Sequence, residues 1–366
     1  MTNNNIVWVG MDTDAKRNHV AVYRNRDERP TEFETGMDRQ GIQRLIERLK
    51  QEKAEVRCVY EAGPCGYELY RQLREAGMKC EVIAPALTPR KPGDRIKTNR
   101  RDAQKLGRLH RAGELTVIQV PNRIQEAVRD VTRAREDIRE DVTRRQHRLA
   151  RFLGIHGYHY EGGEKWTATY WRWLRTLRMN DSHLQMVFEE WVRAVEQSQE
   201  QLKTFDAKLD EIAQQPEYAD KVSRYKTLRG IQTVTAMTIV SEVWDMHAYV
   251  KAPQFMASTG LVSSEYSTGE KQRRGSITKA GNAHLRRVLV EAAWHYRHGS
   301  KSGPTIQKRR KGQPPEVVAI AERAEQRLNR KFHRLVDRYN KKPVVAAVAT
   351  ARELAGFVWA IGQTLD

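Results

Sequence analysis

The period of the hydrophobic residues changes twice along this chain, and each change limits what the segment it bounds can fold into. Residues 6–12 form a short apolar run, residues 19–23 alternate, and residues 31–35 add a third extended stretch, with polar turns between them. Such closely spaced period-two segments predict an antiparallel meander. Ile42, Leu45, Ile46 and Leu49 then fall at helical spacing; residues 55–60 read as a strand, 67–75 as a helix and 80–83 as a strand. Pro85, Pro89 and Pro92 break the chain before helical periodicity resumes over residues 102–112. Three hairpin strands followed by αβαβα is the element order of a ribonuclease-H-like α/β domain, here expected over residues 1–122.

The period then lengthens. Val128, Val131, Ile138, Val142, Leu149 and Phe152 lie on one a/d seam, interrupted by Arg135 and Arg145. A second seam runs through Phe188, Trp191, Val195, Ser198, Leu202, Phe205, Leu209 and Ile212. Heptads sustained this long predict a coiled-coil helical segment over residues 123–216. The seams suit an intramolecular hairpin or a dimerisation arm, and the two arginines suit a buried partner or an RNA phosphate. Between the helices, Trp166, Trp171 and Trp173 can either stack nucleic-acid bases or lock the loop onto the helix pair.

From about residue 217 the pattern becomes mostly helical, giving a third expected domain over residues 217–366. Leu228-Arg-Gly-Ile-Gln-Thr-Val-Thr-Ala236 places a glycine turn before an apolar helix, as in helix-hairpin-helix elements whose amides hold a phosphate. The final stretch, residues 344–361, is apolar apart from Arg352 and Glu353 and reads as a buried helix.

Charge decides the class of partner. The 366 residues carry 65 Lys and Arg against 46 Asp and Glu, a net charge of +19, which costs self-repulsion unless a polyanion relieves it. Residues 270–342 alone hold 20 basic against 6 acidic residues. Arg273, Arg274, Lys279, Arg286, Arg287 and the run Lys308, Arg309, Arg310, Lys311 read as a nucleic-acid footprint. A membrane is not expected, because no run approaches the roughly 18 apolar residues of a span. The amino terminus lacks the basic start and apolar stretch of a signal peptide. Cys58, Cys65 and Cys80 have no metal-ligand spacing and read as reduced packing residues in a cytoplasmic protein.

Three acids stand where a ribonuclease-H-like sheet gathers metal ligands. Asp12 ends the first predicted strand, Glu61 follows the fourth, and Asp102 opens the helix after Pro92. Together they can hold one or two Mg²⁺ ions, with Mn²⁺ as a substitute.

Several motifs are longer than chance spacing supplies. Val9-Gly-Met-Asp12, Tyr60-Glu-Ala-Gly-Pro-Cys-Gly-Tyr67, Pro89-Arg-Lys-Pro-Gly-Asp94 and Lys97-Thr-Asn-Arg-Arg-Asp-Ala103 resemble the amino-terminal domain of IS110-family transposases. Gly260-Leu-Val-Ser-Ser-Glu-Tyr-Ser-Thr-Gly269, Gly275-Ser-Ile-Thr-Lys-Ala-Gly-Asn282 and Leu285-Arg-Arg-Val-Leu-Val-Glu-Ala-Ala-Trp294 resemble that family's carboxy-terminal domain. The resemblance implies a DEDD recombinase with a RuvC-like domain, a coiled coil and a serine-bearing domain. It also implies a bridge RNA that pairs with donor and target DNA, and a dimer or tetramer.

Asp12, Glu61 and Asp102 match the first, second and fourth acidic positions of that family. Asn99 stands where the family has Asp, which removes a charge from the metal set. The nucleophile position is also altered: Ser267-Thr268-Gly269 replaces Ser-Ser-Gly, so Ser267 and Thr268 are both candidates. Two other readings follow from these departures. One is a metal-dependent nuclease or junction resolvase that uses only the acids and water; the other is a catalytically impaired RNA- or DNA-binding relative.

Overall fold

A computed structural model describes residues 5–24, 27–85, 88–89, 98–267, 273–299 and 301–365. The chain forms two compact units, Met1–Pro121 and Asn122–Asp366.

The first unit is built on β1 (Ile6–Thr13), β2 (Arg17–Arg24), β3 (Thr31–Gly36), β4 (Glu55–Glu61) and β5 (Lys79–Ile83). Their order in the sheet is β3-β2-β1-β4-β5, with the first three antiparallel and β4 and β5 parallel to β1. Helices α1 (Arg39–Lys50) and α2 (Glu68–Glu75) provide the crossovers, and α3 (Asn99–Ala112) follows β5. Strand alternation sorts the side chains onto two faces. Val7, Val9 and Met11 join Cys58 and Tyr60 against Ile42, Leu45 and Leu49 of α1 and Leu69 and Leu73 of α2. On the other face, Trp8, Ala21 and Tyr23 pack on Ala103, and Val59 and Ile83 pack on Leu106. Cys58 and Cys80 face each other on neighbouring strands as free thiols, and burial pushes Cys58 up to about 12.

Gly10 fixes how closely α3 lies on the sheet. A Cβ at this position would overlap the Ala103 carbonyl oxygen and the Gly107 nitrogen and stand 2.8 Å from the Gly107 Cα, so helix and strand touch backbone to backbone. The side chain of Thr98 caps α3 through the Arg101 amide, and Gly113 ends it with φ at 71°.

The second unit opens with two long helices, α4 (Arg123–Ile155) and α6 (Ser182–Ala213), with the short α5 (Ala168–Thr176) between them. Arg135 bonds Asp206 at 2.7 Å and Arg145 bonds the Ala194 carbonyl at 2.8 Å, so the helices run antiparallel in one chain. Both seam arginines thus find their partners on the facing helix. At the far end Trp166, Trp171 and Trp173 gather with Tyr160 and Tyr170 around Leu149, Leu153 and Phe188. This packing holds the loop onto the helix pair, with the three tryptophan rings partly buried.

Then come α7 (Pro216–Tyr225), α8 (Thr233–Glu242), α9 (Ala252–Ser258), a hairpin of β6 (Ser263–Glu265) and β7 (Arg274–Ile277), α10 (Ala283–Ala293), α11 (Pro304–Arg310), α12 (Pro315–His333) and α13 (Pro343–Gly362). Val128 and Leu209, at the near end of the hairpin, share one core with α7, α8, α10, α12 and α13. By length and composition α13 is apolar enough to cross a membrane, contrary to the expectation that no stretch reaches that mark. Its apolar residues are interrupted by the Arg352-Glu353 pair, so the unbroken apolar run is shorter than the helix itself. Here Ala347, Ala351, Leu354, Ala355, Val358 and Ile361 are buried, and Glu353 is paired with Arg327 and Lys331.

Buried carboxylates tie the unit together. Glu242 accepts from Arg133 at 2.8 and 3.0 Å and from Asn282 at 2.6 Å; Glu136 accepts from His284 at 2.6 Å and is paired with Arg287. Burial alone would raise both acids, but these hydrogen bonds and positive charges outweigh it, and both are held below the ordinary 4.5. A depressed carboxylate contributes stability that is complete above the unfolded value and is lost as pH falls through the folded one. A melting series read by circular dichroism is therefore expected to decline below about pH 4.5. In Glu242→Gln that acid-dependent loss is expected to shrink.

Candidate active site

Asp12 and Glu61 stand at the carboxyl ends of neighbouring parallel strands. The pairing of β1 with β4 runs as far as Met11 opposite Tyr60, so these two acids are the next residues on each strand. Asp12 shares the face of Gly10, and Glu61 that of Val59, which is the face α3 covers. Helix α3 runs antiparallel to β1: Ala103 lies against Gly10, and His110 meets the Trp8 ring edge-on at 4.8 Å. Its first turn therefore reaches the carboxyl end of the strands and carries Asp102 to the same end and face as the other two acids.

Asp12, Glu61 and Asp102 are half-buried, whereas Asn99, at the first position of α3, is exposed. Glu61 Oε1 accepts from Thr88 Oγ1 at 2.8 Å. Asp102 Oδ2 is buried without a hydrogen-bond partner among the described residues. A buried carboxylate oxygen left unmet costs stability. Among the described residues no three His, Cys, Asp or Glu side chains converge to hold a metal ion. The three acids share one end of the sheet without closing into a shell. Their all-oxygen donor set fits a hard cation such as Mg²⁺.

In the second unit, Ser267 lies just beyond β6 and is exposed. Its Oγ donates to Glu265 Oε1 at 2.7 Å. Two residues apart at a strand end, the pair falls on one side, a spacing visible in Glu265-Tyr-Ser267 once β6 is known. Thr268 lies outside the described residues.

The nine basic positions divide sharply. Arg273, Lys308 and Lys311 are exposed, and Arg274 reaches Glu265 at 3.6 Å. Lys279 occupies a left-handed turn with φ at 54°, and its carbonyl, like that of Thr259, accepts from Arg286. Arg287 is committed to Glu136 and Glu291. Arg310 is only 8% exposed and bonds the Thr227 carbonyl, Ser302 and Glu325. It is a core residue, contrary to the surface footprint expected from its neighbours. Arg309 donates to the Ile231 carbonyl at 2.7 Å.

Comparison with known proteins gives these positions a context. Residues 9–156 match the family model of the DEDD transposases of IS110, described as "Transposase", and residues 222–309 match "Transposase IS116/IS110/IS902 family". The chain is 38% identical over 358 residues to "Putative transposase y4qE" of Sinorhizobium fredii, covering 97% of this chain and 88% of that protein. It is 35% identical over 340 residues to "Transposase for insertion sequence element IS1533" of Leptospira borgpetersenii, covering 92% and 98%. Both relatives align along most of their length, and the chain belongs to the IS110 family of insertion-sequence transposases.

Proposed function

We propose that the chain cuts and exchanges DNA strands through a protein hydroxyl, at sites chosen by a structured bridge RNA. The observation that carries this reading is the gathering of Asp12, Glu61 and Asp102 at one end of the five-stranded sheet, with an unmet oxygen on Asp102. The strand order and these acids support a ribonuclease-H-like domain. The acids, with the amide oxygen of Asn99, would hold Mg²⁺ or Mn²⁺. Bound there, the ion would supply charge that stabilises a DNA phosphoryl group.

Ser267 or Thr268 would supply the attacking oxygen. The Glu265 carboxylate, already hydrogen-bonded to Ser267 Oγ at 2.7 Å, would take the hydroxyl proton as the oxygen bonds to phosphorus and the DNA 3′ or 5′ oxygen leaves. A phosphoester to protein keeps the energy of the broken bond for rejoining, which attack by water does not. Exchange between two duplexes would engage a dimer or tetramer, and the +19 charge would neutralise phosphates of both RNA and DNA.

Asp12→Ala is expected to lower Mg²⁺-dependent cleavage by about a hundredfold or more while leaving duplex affinity within about threefold. Cleavage at the wild-type rate would sink the assignment; joint loss of folding and binding would make Asp12 a structural residue. The uncharged Asn99 favours a second reading, a relative that binds nucleic acid without cutting it. Asn99→Asp separates the two, because restoring a charge is expected to raise cleavage only if the acids work as a metal site.

A further inference from the structure

We infer that the cavity beside the Gly230 turn is a pocket for a backbone phosphate of nucleic acid, made of residues that the cutting chemistry does not use. The cavity measures about 560 Å³ and lies wholly in the second unit. Gly230 forms its wall with φ at 81°, and a Cβ there would overlap the Ala292 carbonyl oxygen, so only glycine lets the α7–α8 turn lie on α10. That turn leads into α8 through Gln232, whose side chain makes no capping bond to the first-turn amides. The positive end of the helix is thus left without a side-chain acceptor from its own cap at the rim of the cavity.

Basic side chains surround the same space. Arg309, His295, His298 and Lys301 line it, and none of the described lining residues is acidic. Glu325, the carboxylate paired with the lining residue Arg229, is also taken by Arg310 and Ser302. Arg309 is pinned to the Ile231 carbonyl, and its Nε is buried with no hydrogen-bond partner among the described residues. A buried guanidinium nitrogen without an acceptor is costly, and an anion oxygen would satisfy it. The titration of His295 agrees: burial lowers it, and His298, Arg297, Arg229 and Arg309 lower it further, as uncompensated positive charge does. A tetrahedral phosphate supplies the missing acceptors, and the volume admits the adjoining sugars.

The inference rests on the reading that the chain acts on nucleic acid, and the test separates the two. Binding of the full-length protein to a labelled DNA duplex is followed by fluorescence anisotropy across a salt series. One variant is Arg309→Gln; the other combines His298→Gln with Lys301→Gln, both at exposed positions whose loss leaves the core intact. Each is expected to weaken binding about tenfold near 150 mM salt and to flatten the dependence of log Kd on log salt by about one. Inorganic phosphate is added at constant ionic strength as the second arm. Competition with the duplex in the wild type, absent in the double variant, supports the pocket. Wild-type affinity and slope in a folded double variant would overturn the pocket and leave the cutting reading standing. A wild-type protein that binds no duplex would overturn both, and stabilisation by phosphate alone would overturn the nucleic-acid assignment and make the pocket one for a free anion.

Discussion

Asp102→Asn is expected to abolish strand cleavage without lowering the melting temperature of the metal-free protein. The two effects part because the side chain contributes little to the fold. Its Oδ2 is buried without a partner among the described residues, and a polar atom left unmet costs about 1–3 kcal/mol. Against this, an acid in the first turn of α3 interacts with the helix dipole for about 0.3–1 kcal/mol. Loss of the charge therefore leaves stability within about 1 kcal/mol of the wild type, or raises it. Cleavage is expected to fall by about a hundredfold or more, since under the proposed mechanism Asp102 would be one of the acids that hold the ion. Thermal melting and a nicking assay on the same preparation check both halves. A fall of many degrees together with lost cleavage would make Asp102 a folding residue.

Gly10→Ala is expected to be among the most destabilising single changes in the first unit. Its new methyl would overlap two backbone atoms of α3, where no rotamer change relieves the clash. The helix must move off the sheet, exposing Ala103 and Leu106 and displacing Asp102 from the strand ends. Overpacking of this kind costs about 3 kcal/mol or more, because backbone rather than a flexible side chain has to yield. Chemical denaturation would show it as a lower midpoint for the first unit. The corresponding change at exposed Gly63, whose Cβ would meet nothing closer than 3.7 Å, is expected to be mild.

Periodicity made the first unit readable. The strands read from alternation are present, because each has one face on a helix and a period of two is enforced by burial. Asp12 and Glu61 were legible for the same reason: an acid that follows an apolar strand lies at its end. The start of α3 was not, since Thr98, Asn99, Arg100 and Arg101 are polar and precede the first buried residue, Ala103. A helical turn with no core face has no periodic signal.

Charge was less readable than pattern. Lys308, Arg309, Arg310 and Lys311 look alike in sequence, yet Arg310 alone of the four is enclosed. What encloses it is Glu325 of α12 and the Thr227 carbonyl, partners supplied by other elements of the unit. Composition locates a basic region, but only the fold tells which of its charges face solvent. The same limit applied to Arg135 and Arg145, whose acceptors lie on the opposite helix of the hairpin.

In the proposed reaction a hydroxyl in the Ser267-Thr268 segment becomes joined to DNA during cleavage. The most direct test incubates the protein with a candidate bridge RNA, Mg²⁺ and candidate donor and target duplexes, denatures the mixture, and maps any protein–DNA adduct by peptide mass spectrometry. An adduct on Ser267 or Thr268 that is absent in Asp12→Ala is the expected result. Nicked DNA with no adduct would contradict it and point to attack by water.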